Sequence, residues 1–166
     1  YHFDHLVGID DLRPFFFHHR APMPCFANEE TAAVMRSNYD YIFGADPYPG
    51  AARVRLEEVT DPFPIESRYD DGAPSVQVEP IRLLHGDLPV YGYRIGRLAY
   101  LTDVSEIPPE SRSQLDNLDV LILDALRPKP HPTHYSFEEA VQVARDIGAR
   151  KTYFIHITHN VRHAEQ

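Results

Sequence analysis

The sequence predicts a layered α/β fold, and two observations support this class. In the C-terminal half, an apolar run within 119–124, a helical pattern at 136–148 and a second strand-like segment at 151–155 follow one another. This order is typical of two parallel strands with a helix packed over them. The N-terminal half carries segments that alternate polar and apolar residues, as half-buried antiparallel strands do. Because 166 residues can bury one hydrophobic core, residues 1–166 are expected to form a single domain.

The first predicted elements are a helix, a loop and a strand. Residues 29–39 are predicted to be helical, with Asn28 as the N-cap. Residues 44–52 are rich in Gly, Pro and Ala, which predicts a loop. Residues 53–59 alternate polar and apolar side chains, which predicts a half-buried strand, and a connection rich in Pro and Asp follows at 60–74.

The middle of the chain predicts three further strands. Residues 75–84 alternate in polarity and end at His85. Two short apolar segments, 90–95 and 97–102, flank Gly96, which predicts a hairpin.

The remaining elements alternate between helix and strand. Residues 109–118 suit a short helix, and the continuous apolar run within 119–124 predicts a strand covered on both faces. Ser136 and Glu139 have the spacing of a capping box at the start of the next helix, which Gly148 ends. Residues 151–155 are predicted to form another buried strand.

Composition limits the classes of function. The net charge of −9 disfavours a broad nucleic-acid surface. No apolar run approaches the ~20 residues that span a bilayer, and no signal-peptide pattern opens the chain, so a cytoplasmic protein without a membrane partner is expected. Cys25 is the only cysteine, which excludes an intrachain disulfide and a cysteine-rich zinc site built from this chain alone.

The most informative residues are histidines and aspartates in a fixed order. The segment His2-Phe3-Asp4-His5 places two imidazoles and a carboxylate within four residues, and in a turn these can face neighbouring metal ions. Further candidates follow at or just after predicted strands, where loops bring together ligands that are distant in the sequence. They are His85, Asp103, His131, His134, His156 and His159.

This order of motifs resembles the metallo-β-lactamase superfamily and, within it, the PhnP-like phosphodiesterases. The resemblance extends over 5–13, 92–96, 99–103 and 121–126 in addition to the histidine clusters. The family motif is His-x-His-x-Asp-His, and this chain begins at its first x. The resemblance therefore implies a four-layered αββα sandwich that lacks its N-terminal strands in this chain.

The resemblance also implies two divalent metal ions, Mn or Zn with Fe as an alternative. The implied ligands of the first ion are His2 and His85. Those of the second ion are Asp4, His5 and His156. Asp103 is the implied carboxylate that bridges the two ions. A mixed imidazole and carboxylate set suits these metals better than Ca or Mg.

The implied activity is a phosphodiesterase that cleaves a small, cyclic or linear, phosphate ester with a metal-bridging hydroxide as nucleophile. His134 would protonate the leaving oxygen, and Asp124 would orient a histidine. His159 matches a position that, with N-terminal cysteines, forms a structural zinc site in the PhnP-like proteins. The expected partners are a small anionic phosphate ester and, as an alternative to a monomer, a second copy of the chain in a homodimer.

Three alternatives stay open. A tRNA 3′-processing nuclease shares much of the motif order, although the acidic charge disfavours RNA binding. A thioester or lactone hydrolase of the same superfamily would use the same metals. A non-enzymatic metal-binding domain would bind metal without turning over an ester.

Overall fold

The computed structural model describes residues 1–67 and 72–162, so part of the predicted connection at 60–74 lies outside the described residues. The chain divides into two compact units, residues 1–60 and 61–166. Each unit has its own sheet and its own cluster of buried apolar residues. Across the described part of the chain, every helix is too short or too polar to cross a lipid bilayer.

The N-terminal unit contains short helices and a two-stranded parallel sheet. Its elements are α1 (Phe3–Leu6), a 3₁₀ helix (Val7–Leu12), α2 (Arg13–His19), β1 (Met23–Ala27), α3 (Glu29–Asn38), α4 (Asp40–Phe43) and β2 (Val54–Glu58). Met23 lies opposite Val54, and Ala27 lies opposite Glu58. Strand β1 was not predicted, because Pro24 is disfavoured in strands, but in a two-stranded sheet every strand is an edge that tolerates it.

Helix α3 confirms its sequence prediction within one residue. The Asn28 side-chain oxygen accepts a hydrogen bond from the Thr31 backbone N–H at 2.8 Å, as an N-cap does. Ala32 and Met35 are the buried residues of the helix, and Met35 packs in a cluster with Ile9. Helix α3 therefore contributes to the core of the N-terminal unit.

The C-terminal unit is built on one mixed six-stranded sheet. Its strands are β3 (Phe63–Ile65), β4 (Val76–His85), β5 (Leu88–Ile95), β6 (Leu98–Leu101), β7 (Val120–Asp124) and β8 (Lys151–Ile155). They lie in sequence order, with antiparallel pairing from β3 to β6 and parallel pairing from β6 to β8. The predicted hairpin around Gly96 and the predicted parallel C-terminal pair are both confirmed.

One face of this sheet supplies the core. Fully buried leucines and small residues from β4, β6 and β7 pack with α5 (Phe137–Ile147), which contributes Ala140 and Val143. The prediction that β7 is covered on both faces is wrong in part, since Leu121 and Leu123 are buried whereas Ile122 is half-buried. A continuous apolar run does not reveal how completely its second face is covered.

Two further predictions need correction. The helix predicted at 109–118 is a shorter 3₁₀ helix, Pro109–Leu115. Strand β8 is not buried, because in the described part of the chain it is an edge strand that pairs with β7 alone. Tyr153 remains 51% exposed and Phe154 38% exposed. The sequence of residues 151–155 could not distinguish an edge strand from a central one.

Helix α5 begins with the predicted capping box. The Ser136 hydroxyl oxygen accepts from the Glu139 N–H at 3.4 Å, and a Glu139 carboxylate oxygen accepts from the Ser136 N–H at 2.8 Å. Gly148 ends the helix in the left-handed conformation at φ +68°. The hydrogen bonds from Ser136 hold the pKa of Glu139 below its usual value of 4.5.

This capping box predicts a pH-dependent contribution to stability. At about pH 7, Glu139→Ala should lower the free energy of unfolding by about 1 kcal/mol more than Glu138→Ala does. Glu138→Ala is the control, because it removes a charge from the same first turn of the helix. Because the folded-state pKa is depressed, the difference is fully present above pH 4.5 and should be lost as the pH falls below it. Chemical denaturation of both variants across this range measures it, and a pH-independent difference would contradict the assignment.

Candidate metal centre

The C-terminal unit brings several predicted site residues to one edge of its sheet. His85 is the last residue of β4, Asp103 lies two residues beyond β6, and His156 directly follows β8. His134 lies in the loop that leads from β7 to α5. Since rigid strands fix where these loops begin, residues that are far apart in the sequence converge.

Two of these residues have an unfavourable backbone conformation. Asp103 has φ +52° and His156 has φ +62°, in the left-handed region that non-glycine residues rarely adopt. Such strain costs about 1–3 kcal/mol per residue and is found mainly where the surroundings or the function require it. The two strained residues are thus the predicted bridging carboxylate, Asp103, and a predicted histidine ligand, His156.

Asp103, His134 and His156 form a compact set of metal-binding atoms. One ligand atom from each lies within 4.8 Å of the other two. His156 Nε2 is 3.6 Å from Asp103 Oδ1, and the rings of His134 and His156 stack with centroids 4.8 Å apart. This chemistry, two imidazoles and a carboxylate at one point, fits a divalent ion such as Zn or Mn.

Asp124 and His134 form a short polar contact in the centre. His134 Nδ1 lies 2.6 Å from Asp124 Oδ2, and Asp124 is fully buried. Because an ionised carboxylate only accepts hydrogen bonds, it orients the imidazole with its proton on Nδ1 and leaves Nε2 for a proton or a metal ion. The contact agrees with the expectation that Asp124 orients a histidine. The catalytic roles of both residues stay predictions.

His85 and His131 border His134 on other sides. The centroids of the His85 and His134 rings are 4.6 Å apart, and His85 is 8% exposed. The His131 ring lies 5.2 Å from that of His134. Burial lowers the pKa of His131, and the positive charge of Arg127 lowers it further. His131 is therefore held towards its neutral form.

The N-terminal motif lies in the other unit. His2 precedes α1, and Asp4 and His5 belong to it, so the segment is one helical turn rather than the irregular turn expected from the sequence. His5 Nε2 is 3.6 Å from Asp4 Oδ2, and both side chains are exposed. The assignment of His2, Asp4 and His5 as metal ligands stays a prediction.

The other residues considered from the sequence lie outside the cluster. His159 is exposed after β8, and its assignment to a structural zinc site stays a prediction. Cys25 lies in β1, where burial raises the pKa of its thiol. A raised pKa disfavours the nucleophilic thiolate, which agrees with a mechanism that needs no cysteine nucleophile.

Sequence reasoning missed the residues that fix the loops of the centre. The Ser105 hydroxyl donates to the Leu84 carbonyl at 3.1 Å and accepts from the Gly86 N–H at 2.8 Å, so it braces the turn after His85. The Val104 N–H donates to Asp124 Oδ2 at 3.0 Å. Only the position of Ser105, two residues after Asp103, could have suggested its role.

Comparisons with known proteins identify relatives over almost the whole chain. Residues 1–157 match the family model described as the β-lactamase superfamily domain. The octanoyltransferase of Porphyromonas gingivalis is 34% identical over 160 residues, which make up 96% of this chain and 31% of that protein.

Solved structures give a consistent result. A diphosphatase from the PhnP family is 40% identical, with a TM-score of 0.83 over 99% of this chain and 59% of its own. The metallo-β-lactamase fold protein YhfI from Bacillus subtilis is 17% identical, with a TM-score of 0.72 over 99% of this chain and 64% of its own, and this likeness shows the fold alone. The chain thus spans less than two thirds of the length of these relatives.

The backbone strain at His156 predicts an unusual ranking of variants. In metal-free protein, His156→Gly should be more stable than His156→Ala by about 1 kcal/mol, because glycine accepts a left-handed φ without a steric penalty. Thermal or chemical unfolding of the two variants measures the difference.

His159 provides the control for this ranking, because its φ is not positive. At this position, His159→Gly should be no more stable than His159→Ala. Equal stabilities of the two His156 variants would contradict the strain at that residue.

Proposed function

Because this chain belongs to the β-lactamase superfamily, we propose that it is a metal-dependent hydrolase that cleaves a small phosphate diester. The observation that carries the proposal is the convergence of Asp103, His134 and His156, with His134 oriented by the buried Asp124. This arrangement combines metal-binding atoms and a histidine held in one tautomer, the two components that hydrolysis of a phosphate ester requires.

The relative that supports a phosphate ester is the PhnP-family diphosphatase. Its identity of 40% over almost all of this chain favours related chemistry. Since this chain corresponds to only 59% of that protein, a phosphate-ester activity is a proposal for this chain. The substrate class that follows is a small anionic phosphate ester.

Each polar residue of the centre has a distinct task in this proposal. When bound, divalent ions would supply an activated water and offset the negative charge on the phosphoryl oxygens. Asp103 and His156, with His85, would hold them, together with the predicted ligands His2, Asp4 and His5. Mn and Zn suit this set, with Fe as an alternative.

His134 performs the proton transfer in this proposal. A proton on Nε2 would pass to the oxygen that leaves phosphorus, while Nδ1 donates to Asp124. The carboxylate stabilises the positive charge that the imidazole carries before the transfer and fixes the direction of Nε2. His134 also belongs to the compact ligand set, so a metal-ligand role competes with the acid role at the same nitrogen.

The second candidate function is hydrolysis of an acyl ester or thioester. It is favoured by the likeness to the octanoyltransferase, whose name denotes an acyl transfer. That protein shares only 31% of its length with this chain, whereas the diphosphatase shares 59% at higher identity. We therefore rank the phosphate diester first.

The remaining proposals concern RNA as a substrate, the cellular location and the oligomeric state. A net charge of −9 disfavours an RNA substrate and so a tRNA 3′-processing nuclease. A cytoplasmic location is proposed on composition, and a homodimer is proposed as the alternative to a monomer. Sedimentation of the purified chain measures the oligomeric state directly.

The test of the proposed function is a parallel rate measurement. Protein loaded with Mn or Zn should hydrolyse bis(4-nitrophenyl) phosphate faster than 4-nitrophenyl octanoate, relative to the uncatalysed rate of each. Asp103→Asn should lower kcat/KM for the diester about 100-fold or more, because it removes a charged ligand. Asp116→Asn, at an exposed aspartate, is the matched control and should leave the rate unchanged.

Three outcomes of this test would separate the alternatives. Full activity in Asp103→Asn would reject the site. Faster turnover of the octanoyl ester would replace the phosphodiesterase with an acyl hydrolase. Metal binding without turnover of either substrate would indicate a metal-binding domain.

A further inference from the structure

We propose that a pocket lined mainly by the β7–α5 loop and the segment after β8 is a second binding site for a small organic anion. The anion would have an apolar body, as an aryl or alkyl phosphate does. The pocket has a volume of about 640 Å³ and is lined entirely by residues of the C-terminal unit. None of the residues proposed to bind metal is among its lining residues. It is therefore distinct from the candidate metal centre.

The charge of the pocket selects for an anion. Arg127 and Lys129 line it, and among the residues that the structure describes its lining contains no carboxylate. This is unusual on a chain with 25 acidic and 16 basic residues. Lys129 is one of only two lysines in the sequence. Two cations with no carboxylate among the described lining residues create a local positive potential that attracts an anion from solution.

Arg127 is oriented before any ligand arrives. Its Nε donates to the Lys129 carbonyl at 3.3 Å, and its Nη2 donates to the Pro130 carbonyl at 3.1 Å. A guanidinium has five N–H donors, so these two bonds leave capacity for a bidentate contact with a phosphate or carboxylate. Because the side chain is already held by its own loop, less conformational entropy is lost on binding.

Two further lining residues add neutral hydrogen-bond donors. Thr158 contributes a hydroxyl and Asn160 a side-chain amide, both of which can donate to anionic oxygens. The Thr158 N–H donates to the Leu126 carbonyl at 2.9 Å, which ties the segment after β8 to the residue that precedes Arg127. Two cations together with two neutral donors match the several oxygens of a phosphate group.

Part of the pocket lining is apolar, and Phe137, Pro128 and Val161 contribute it. An aromatic or aliphatic body of the ligand would bury apolar surface against these residues. Inorganic phosphate would use only the charged part of the pocket. We therefore infer an organic anion and not a free inorganic ion.

The site can be tested without any catalytic activity. Phenyl phosphate would be titrated into metal-free, isotope-labelled protein at about 50 mM NaCl, with the Thr158 and Asn160 backbone N–H signals observed by NMR. We expect saturable shifts of these signals. Benzyl alcohol, which keeps the ring without the charge, should produce no comparable shifts, and inorganic phosphate should bind more weakly.

The deciding comparison uses two single-lysine variants. Lys129→Gln should weaken the binding of phenyl phosphate about threefold, as loss of one charge at an exposed site does. Lys151→Gln makes the same change of net charge on β8, where the ammonium lies 5.9 Å from the Tyr153 ring, and should leave the affinity unchanged. Absence of saturable binding, or equal weakening by both substitutions, would overturn the proposal.

Discussion

The buried carboxylate of Asp124 connects the three segments on which the candidate centre depends. It ends β7 and is fully buried, and its Oδ2 receives both the His134 Nδ1 and the Val104 N–H. Val104 follows Asp103, so one oxygen positions the loop that carries a proposed ligand and the loop that carries the proposed acid. Both hydrogen bonds go to Oδ2, whereas Oδ1 has no hydrogen-bond partner among the described residues. Because a buried charge is costly unless it is hydrogen-bonded, removing either partner of Oδ2 would raise that cost further.

The rest of the sheet supplies the rigidity that this interaction requires. Because β6, β7 and β8 are parallel, their carboxyl ends meet at one edge of the sheet. The buried face of α5 packs in the same core as β7. Asp103 and His156 then depart from regular structure with positive φ. The stability lost in this strain is offset by a core that includes Leu101, Leu121 and Leu123.

Much of this arrangement could be predicted from the sequence because the signals are local. Alternating polarity, the Asn28 cap and the capping box at Ser136 each depend on a few neighbouring residues, and the structure has these elements. The positions of His85 and His156 at strand ends followed from the same patterns. The family resemblance predicted the order in which the proposed ligands follow one another in the sequence.

What the sequence could not predict depends on distant contacts. Whether β8 is central or at an edge depends on pairing with other strands, and no local sequence pattern marks the positive φ of Asp103. The convergence of Arg127, Lys129 and Thr158 on one pocket likewise joins segments that are separated by a helix and a strand. Periodicity carries no information on such contacts.

The proposed function depends on divalent metal at the centre around Asp103, His134 and His156. Elemental analysis of protein purified without added metal or chelator tests this dependence. About two ions of Mn, Zn or Fe per chain are expected, because an assisted attack on a phosphate diester uses a pair. Protein that retains no metal, even after incubation with Zn or Mn and removal of the excess, would contradict the proposed function.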